Sequence, residues 1–126
     1  MNYLKIDGTD DTPEIMIDSD LSLFIISGCS TPEDALATYK PIIDWLSAPD
    51  CELDNCQCKF CFKYLSSASH HMVFNIMKKL NNMYDIGRNL SIEWGYEATD
   101  EDMLRLGLDF ASILTLPFEF CPKTIN

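Results

Sequence analysis

From residue 57 onward, short strand-like runs alternate with longer amphipathic helical runs. Two strands joined through a helix need a crossover, and crossovers make parallel pairs. The chain is therefore expected to build at least part of a parallel sheet. Gln57 to Leu65 reads as a strand, with Cys58, Phe60 and Phe62 on one face and Lys59, Cys61 and Lys63 on the other. A helix is expected from Ala68 to Tyr84, with Met72, Val73, Ile76, Met77 and Leu80 as its core stripe. Gly87 ends the turn after it, and Asn89 to Tyr96 reads as the next strand. Asp100-Glu101-Asp102 opens another helix, where acids suit the positive helix end. Its apolar face is Met103, Leu106, Gly107, Phe110 and Leu114, and Pro117 to Cys121 forms a last short strand.

The first half begins differently. Residues 3–6 read as a short strand, and Asp7 to Pro13 is turn chemistry. Glu14 to Asp18 and Leu21 to Ser27 read as strands around the turn Asp18-Ser19-Asp20, and Gly28 ends the second. Thr31-Pro32-Glu33-Asp34 predicts a helix start, with Thr31 as cap and Pro32 at the first helical position. Ala35, Leu36, Tyr39, Ile42, Ile43 and Leu46 then give one apolar face. Pro41 is expected to kink or split that helix, because it lacks an N–H. Ala48 to Asn55 reads as a polar loop. The expected order is β-β-β-α-β-α-β-α-β: an α/β fold in one domain, residues 1–126, with a mixed sheet and helices mainly on one face. Leu36, Tyr39, Ile43, Met72, Ile76, Leu80, Leu106 and Phe110 should point to the sheet.

Charge narrows the partners. The 126 residues carry a net charge of −11, from 20 acidic and 9 basic side chains. A phosphate backbone or an anionic membrane surface would be repelled, so neither nucleic-acid binding nor membrane insertion is expected. No apolar run approaches the ~20 residues of a membrane span, and the first residues have no apolar leader core. The expected location is the cytoplasm, where the six cysteines would stay reduced.

Cys51, Cys56, Cys58 and Cys61 resemble a metal site only superficially. Cys58 and Cys61 have CxxC spacing, but residues three apart on a strand face opposite sides. Free thiols and no metal are expected. His70 and His71 are adjacent on a helix, so they point about 100° apart and chelate poorly. No phosphate-binding glycine loop or nucleophile elbow is present, and nothing calls for a cofactor or a catalytic residue.

The segment Tyr64-Leu65-Ser66-Ser67-Ala68-Ser69-His70-His71 is the remaining candidate. A strand ends, hydroxyls follow, and an amphipathic helix begins. The plain reading is helix capping. The functional reading is a phosphorylation site, because a helix N-terminus accepts a dianion.

Across nearly its whole length the chain resembles the SiaC-type regulatory phosphoproteins, and more distantly the STAS anti-sigma-factor antagonists. The marks are Thr12-Pro13-x-Ile15, Gly28-x-Ser30-x-Pro32-Glu33, Pro41, Trp45, the Tyr64-to-Ser69 loop, Trp94-x-Tyr96, Asp100-Glu101-Asp102-Met103, Gly107, Asp109-Phe110 and Pro117-Phe118. The family loop reads Tyr-(Leu/Phe)-Asn-(Thr/Ser)-Ser-Ser. Here Ser66 replaces the Asn, Ser67 falls on the phospho-acceptor, and Ala68 replaces a Ser. The resemblance implies a non-enzymatic regulator phosphorylated on Ser67, with Ser66 and Ser69 as alternatives. Tyr64, Leu65, Ser66, Ala68, Ser69, His70 and His71 would form the partner-binding surface. The implied partners are a cognate serine/threonine kinase, a PP2C-type phosphatase and an effector such as a diguanylate cyclase. The alternatives are the same fold with an inactive switch, or a cysteine-based metal or redox protein.

Overall fold

The computed structural model describes residues 3–124. Its elements are β1 (Tyr3–Ile6), β2 (Glu14–Asp18), β3 (Leu23–Ser30), α1 (Ala35–Ser47), β4 (Cys56–Leu65), α2 (Ser67–Asp85), β5 (Leu90–Glu97), α3 (Glu101–Ile113) and β6 (Phe118–Lys123). The six strands form one sheet in the order β1-β2-β3-β4-β5-β6. The first three pair antiparallel, and β3 to β6 pair parallel. Strand order therefore follows chain order. A right-handed crossover that always steps one strand the same way puts its helix on the same side each time. The three helices accordingly cover one face.

That face is written in register. Leu4, Ile17, Phe24, Cys58, Ile92 and Phe118 form one row across all six strands. Ile6, Ile15, Ile26, Phe60, Trp94 and Phe120 form the next. The central members of both rows are fully buried. The intervening row, Lys5, Met16, Ile25, Lys59, Glu93 and Glu119, lies on the open face.

Trp94 is the hub of the core. Its ring lies 6.4 Å from Phe60, 6.1 Å from Phe62 and 5.7 Å edge-on from Phe110. Its indole N–H donates to the Met103 carbonyl at 2.9 Å. A Cβ on Gly107 would lie 2.4 Å from that ring, so only glycine lets α3 approach so closely.

Several sequence expectations change. Gly28 does not end β3. It takes a positive φ of 109° at a register shift, and the strand resumes through Ser30. Neither Thr31 nor Pro32 starts α1. The Thr31 N–H goes back to the Asp11 carbonyl, and Asp34 is the cap, accepting from the Ala37 N–H at 3.0 Å. Pro41 does not split α1, which runs unbroken through it. Tyr39, Ile42 and Leu46 anchor both sides of the proline on the core, which offsets one missing hydrogen bond. With the helix starting at Ala35, the buried stripe is Ala35, Tyr39, Ile42 and Leu46, and Leu36 turns outward at 61% exposure. Ile43 and Leu106 are only half-buried, while Tyr39, Met72, Ile76, Leu80 and Phe110 face inward as expected. The polar loop before β4 hides Leu53, whose carbonyl accepts from the Arg88 guanidinium at 2.7 Å.

Candidate functional site

β4 delivers the chain to the end of the sheet where β3 also stops. There the Ser66 N–H donates to the Ser30 carbonyl at 2.8 Å, tying the two strand ends together. Ser66 caps α2, its Oγ accepting from the Ser69 N–H at 3.3 Å. Ser67 is the first helical residue and Ala68 the second, and both are exposed.

Ser69 is placed differently from what a surface loop suggests. It is fully buried, as are Ser30 and Tyr39. The hydroxyls of Tyr39 and Ser30 lie 2.5 Å apart, and those of Ser30 and Ser69 lie 2.9 Å apart. Ser66 donates to Ser69 Oγ at 3.0 Å, and Ser69 donates to the Ser30 carbonyl at 3.2 Å. Each hydroxyl has one proton, so the directions follow by elimination. Ser69 spends its proton on the carbonyl, so Ser30 must donate to Ser69, and Tyr39 must donate to Ser30. Burial pushes the Tyr39 phenol up to about 12, against the smaller opposing pull of its serine partners. It stays a donor throughout the physiological range. The network joins α1, β3 and α2 behind the loop, and all four of its hydroxyl protons are used.

The outer surface of the loop is open. Tyr64 is 60% exposed, with the Lys63 ammonium 5.8 Å from its ring centre. Leu65 and His70 are half-buried, and the His70 Nε2 lies 3.2 Å from the Leu65 carbonyl. His71 is exposed. A depression lined by Lys63, Tyr64, Leu65, His70, Asp100, Asp102, Met103 and Leu106 opens beside the loop. Asp100 caps α3 there, accepting from the Met103 N–H at 3.0 Å. Tyr64, Leu65, Ser66, Ser67, Ala68, His70 and His71 are thus gathered around one helix start, while Ser69 lies beneath it.

Cys56 and Cys58 meet, but among the described residues no further cysteine joins them to make a ligand cluster. Cys58 is buried on the core face and Cys61 half-exposed on the opposite face. A hydrogen bond to Cys56, together with burial, pushes the Cys58 thiol well up. Among the described residues, Glu93, Glu119 and Cys121 offer ligand atoms within 4.8 Å of one another. The Lys123 ammonium lies 3.5 Å from Glu93, and the Gln57 amide donates to Glu119 at 3.2 Å. Protein groups already serve both carboxylates, and a cation there would have to displace an ammonium. No helix among the described residues is long and apolar enough to cross a membrane.

A strand end, a serine cap and an amphipathic helix are shared by many folds, so the match must be judged over the whole chain. Residues 6–123 match the model of the SiaC family regulatory phosphoproteins. The chain belongs to the SiaC family. Apo-SiaC from Pseudomonas aeruginosa has the same fold, with a TM-score of 0.84 and 25% identity over 96% of this chain and 99% of that one. SiaC from the same organism, crystallised with the diguanylate cyclase SiaD that it activates, gives 0.87 and 25% identity over 95% and 99%. A protein of Pseudomonas aeruginosa strain UCBPP-PA14 is 27% identical over 94% of both chains.

In this SiaC-family chain, sequence reasoning missed Ser30 and Tyr39 as partners of the loop. Ser30 stood in a motif without a role, and Tyr39 read as an ordinary core residue. No local signal links positions that are 39 residues apart, as Ser30 and Ser69 are.

Proposed function

We propose that this chain, residues 1–126 acting as one cytoplasmic regulatory domain, is a non-enzymatic partner-binding switch phosphorylated on Ser67. The carrying observation is the separation of the three candidate serines: Ser69 is fully buried, Ser66 is tied as the helix cap, and Ser67 is exposed at the first helical position. A kinase needs an exposed hydroxyl, and modifying Ser66 would remove the proton it donates to Ser69. A phosphate on Ser67 meets a helix N-terminus, where it is electrostatically favoured. Among the described residues, no protein acceptor takes the Ser67 or Ala68 N–H. The fold can therefore accept the dianion while the surface formed by Tyr64, Leu65, Ala68, His70 and His71 changes.

The partners in this reading are a serine/threonine kinase, a PP2C-type phosphatase and an effector bound in the unphosphorylated form. The complex of the related SiaC with SiaD favours a diguanylate cyclase as the effector. Docking against a phosphate would require stripping its water, which disfavours the phosphorylated form. The test is co-expression with the cognate kinase, peptide mapping, and a titration of each form against the cyclase. Phosphate on Ser67 and weakened binding are expected. Phosphate confined to Ser66 or Ser69, or unchanged affinity after full modification, refutes the reading.

A further inference from the structure

One turn beyond the loop, α2 and α3 leave a second depression, lined by His70, His71, Phe74, Asp109, Phe110 and Ile113. Its floor is the stacked pair Phe74 and Phe110, with ring centres 5.5 Å apart. Its rim carries Ile113, which is 67% exposed although apolar. The volume is about 220 Å³. Small-molecule pockets run roughly 300–1,000 Å³ and enclose their ligand, so this open groove suits a side chain rather than a metabolite. Asp109, which is exposed, also lines it, on a chain of net charge −11. The complementary occupant is an apolar side chain with a cation next to it.

Resting on the partner-binding reading above, we infer that this groove receives a large apolar side chain of the effector, with an adjacent lysine or arginine meeting Asp109. The groove also explains how a phosphate on Ser67 reaches the interface. Ser67 and His71 are four residues apart on α2 and so lie on the same face, and His71 forms one wall of the groove. A dianion at Ser67 stands beside the apolar opening. It also competes with Asp109 for the partner's cation, drawing that side chain out of register.

The test uses the full chain and a purified SiaD-type diguanylate cyclase from the same genome, titrated by calorimetry. Ile113→Glu should weaken binding at least tenfold, and Ile113→Ser should weaken it less. Ile86→Glu, at an 83% exposed position outside the groove, should bind like wild type. Asp109→Lys should weaken binding several-fold at low salt and less at high salt. Kinase labelling of Ser67 should be unchanged in every variant, which shows that the loop is intact. Wild-type affinity in Ile113→Glu overturns the groove and leaves the switch standing. Failure of the unmodified wild-type chain to bind the cyclase removes both. If sedimentation shows a wild-type dimer that Ile113→Glu dissociates while cyclase binding persists, the occupant is a second copy and the inference is wrong.

Discussion

Removing the Ser69 hydroxyl is the most informative perturbation of the loop, because the proton count behind it is closed. Ser69 Oγ accepts from Ser30 and from Ser66. In Ser69→Ala the Ser66 hydroxyl turns to water, since it is only half-buried. Ser30 and Tyr39 have no such exit, both being fully buried. Their two protons then share one mutual hydrogen bond, and one proton is stranded. A stranded buried donor costs ~1–3 kcal/mol, and the lost bonds cost about 1 kcal/mol more. Better helix propensity returns roughly 0.5 kcal/mol. The expected loss is about 1.5–3.5 kcal/mol. Tyr39→Phe strands no proton, because Ser30 keeps Ser69 as its acceptor, so it should cost only ~1 kcal/mol. Ser67→Ala touches an exposed hydroxyl and should stay within about 0.5 kcal/mol of wild type. Urea unfolding followed by the fluorescence of Trp45 and Trp94 measures all three. The reasoning fails if Tyr39→Phe costs as much as Ser69→Ala, or if Ser69→Ala costs no more than Ser67→Ala.

Two other outcomes follow from the core. Gly107→Ala puts a methyl into the Trp94 ring and should cost about 1–3 kcal/mol by overpacking, despite the higher helix propensity of alanine; a thermal melt at or above the wild-type midpoint would contradict this contact. Tyr39 gives the pH dependence: its folded-state pKa, about 12, lies above the ordinary 10. The unfolded chain loses this proton first, so the contribution of Tyr39 is intact below pH ~10 and falls away as pH rises towards 12, by roughly 2–3 kcal/mol in all. Denaturant titrations across that range should show Tyr39→Phe with a flatter alkaline decline than wild type.

Local chemistry in the sequence determined most of the elements. The alternation of Cys58, Phe60 and Phe62 with Lys59, Cys61 and Lys63 marked β4 and both its faces. The three acids at 100–102 marked the start of α3, and Asp100 does cap it. The serine run marked the start of α2, and Ser66 caps it. Periods of 2 and 3.6 and the capping of backbone N–H groups act over a few residues, and one chain displays them directly. Misreadings arose where a local signal had a non-local competitor. Thr31-Pro32 looks like a helix start, but the Thr31 N–H is claimed by the carbonyl of Asp11, which precedes the whole β2–β3 hairpin. Gly28 looks like a stop, but pairing with β4 carries the strand past it.

The tertiary structure alone decided the rest. Strictly sequential strand order, and with it the placing of all helices on one face, depends on which strands pair, and pairing brings together residues far apart in the chain. It is this pairing that sets the ends of β3 and β4 side by side, with Ser30 under Ser69 and within reach of Tyr39. Local chemistry placed three serines in one loop, and the family resemblance put Ser67 first with Ser66 and Ser69 as alternatives. Packing made them physically different, by burying Ser69, tying Ser66 to the backbone as a cap and leaving Ser67 facing solvent, because burial is a property of what covers a residue and not of the residue itself.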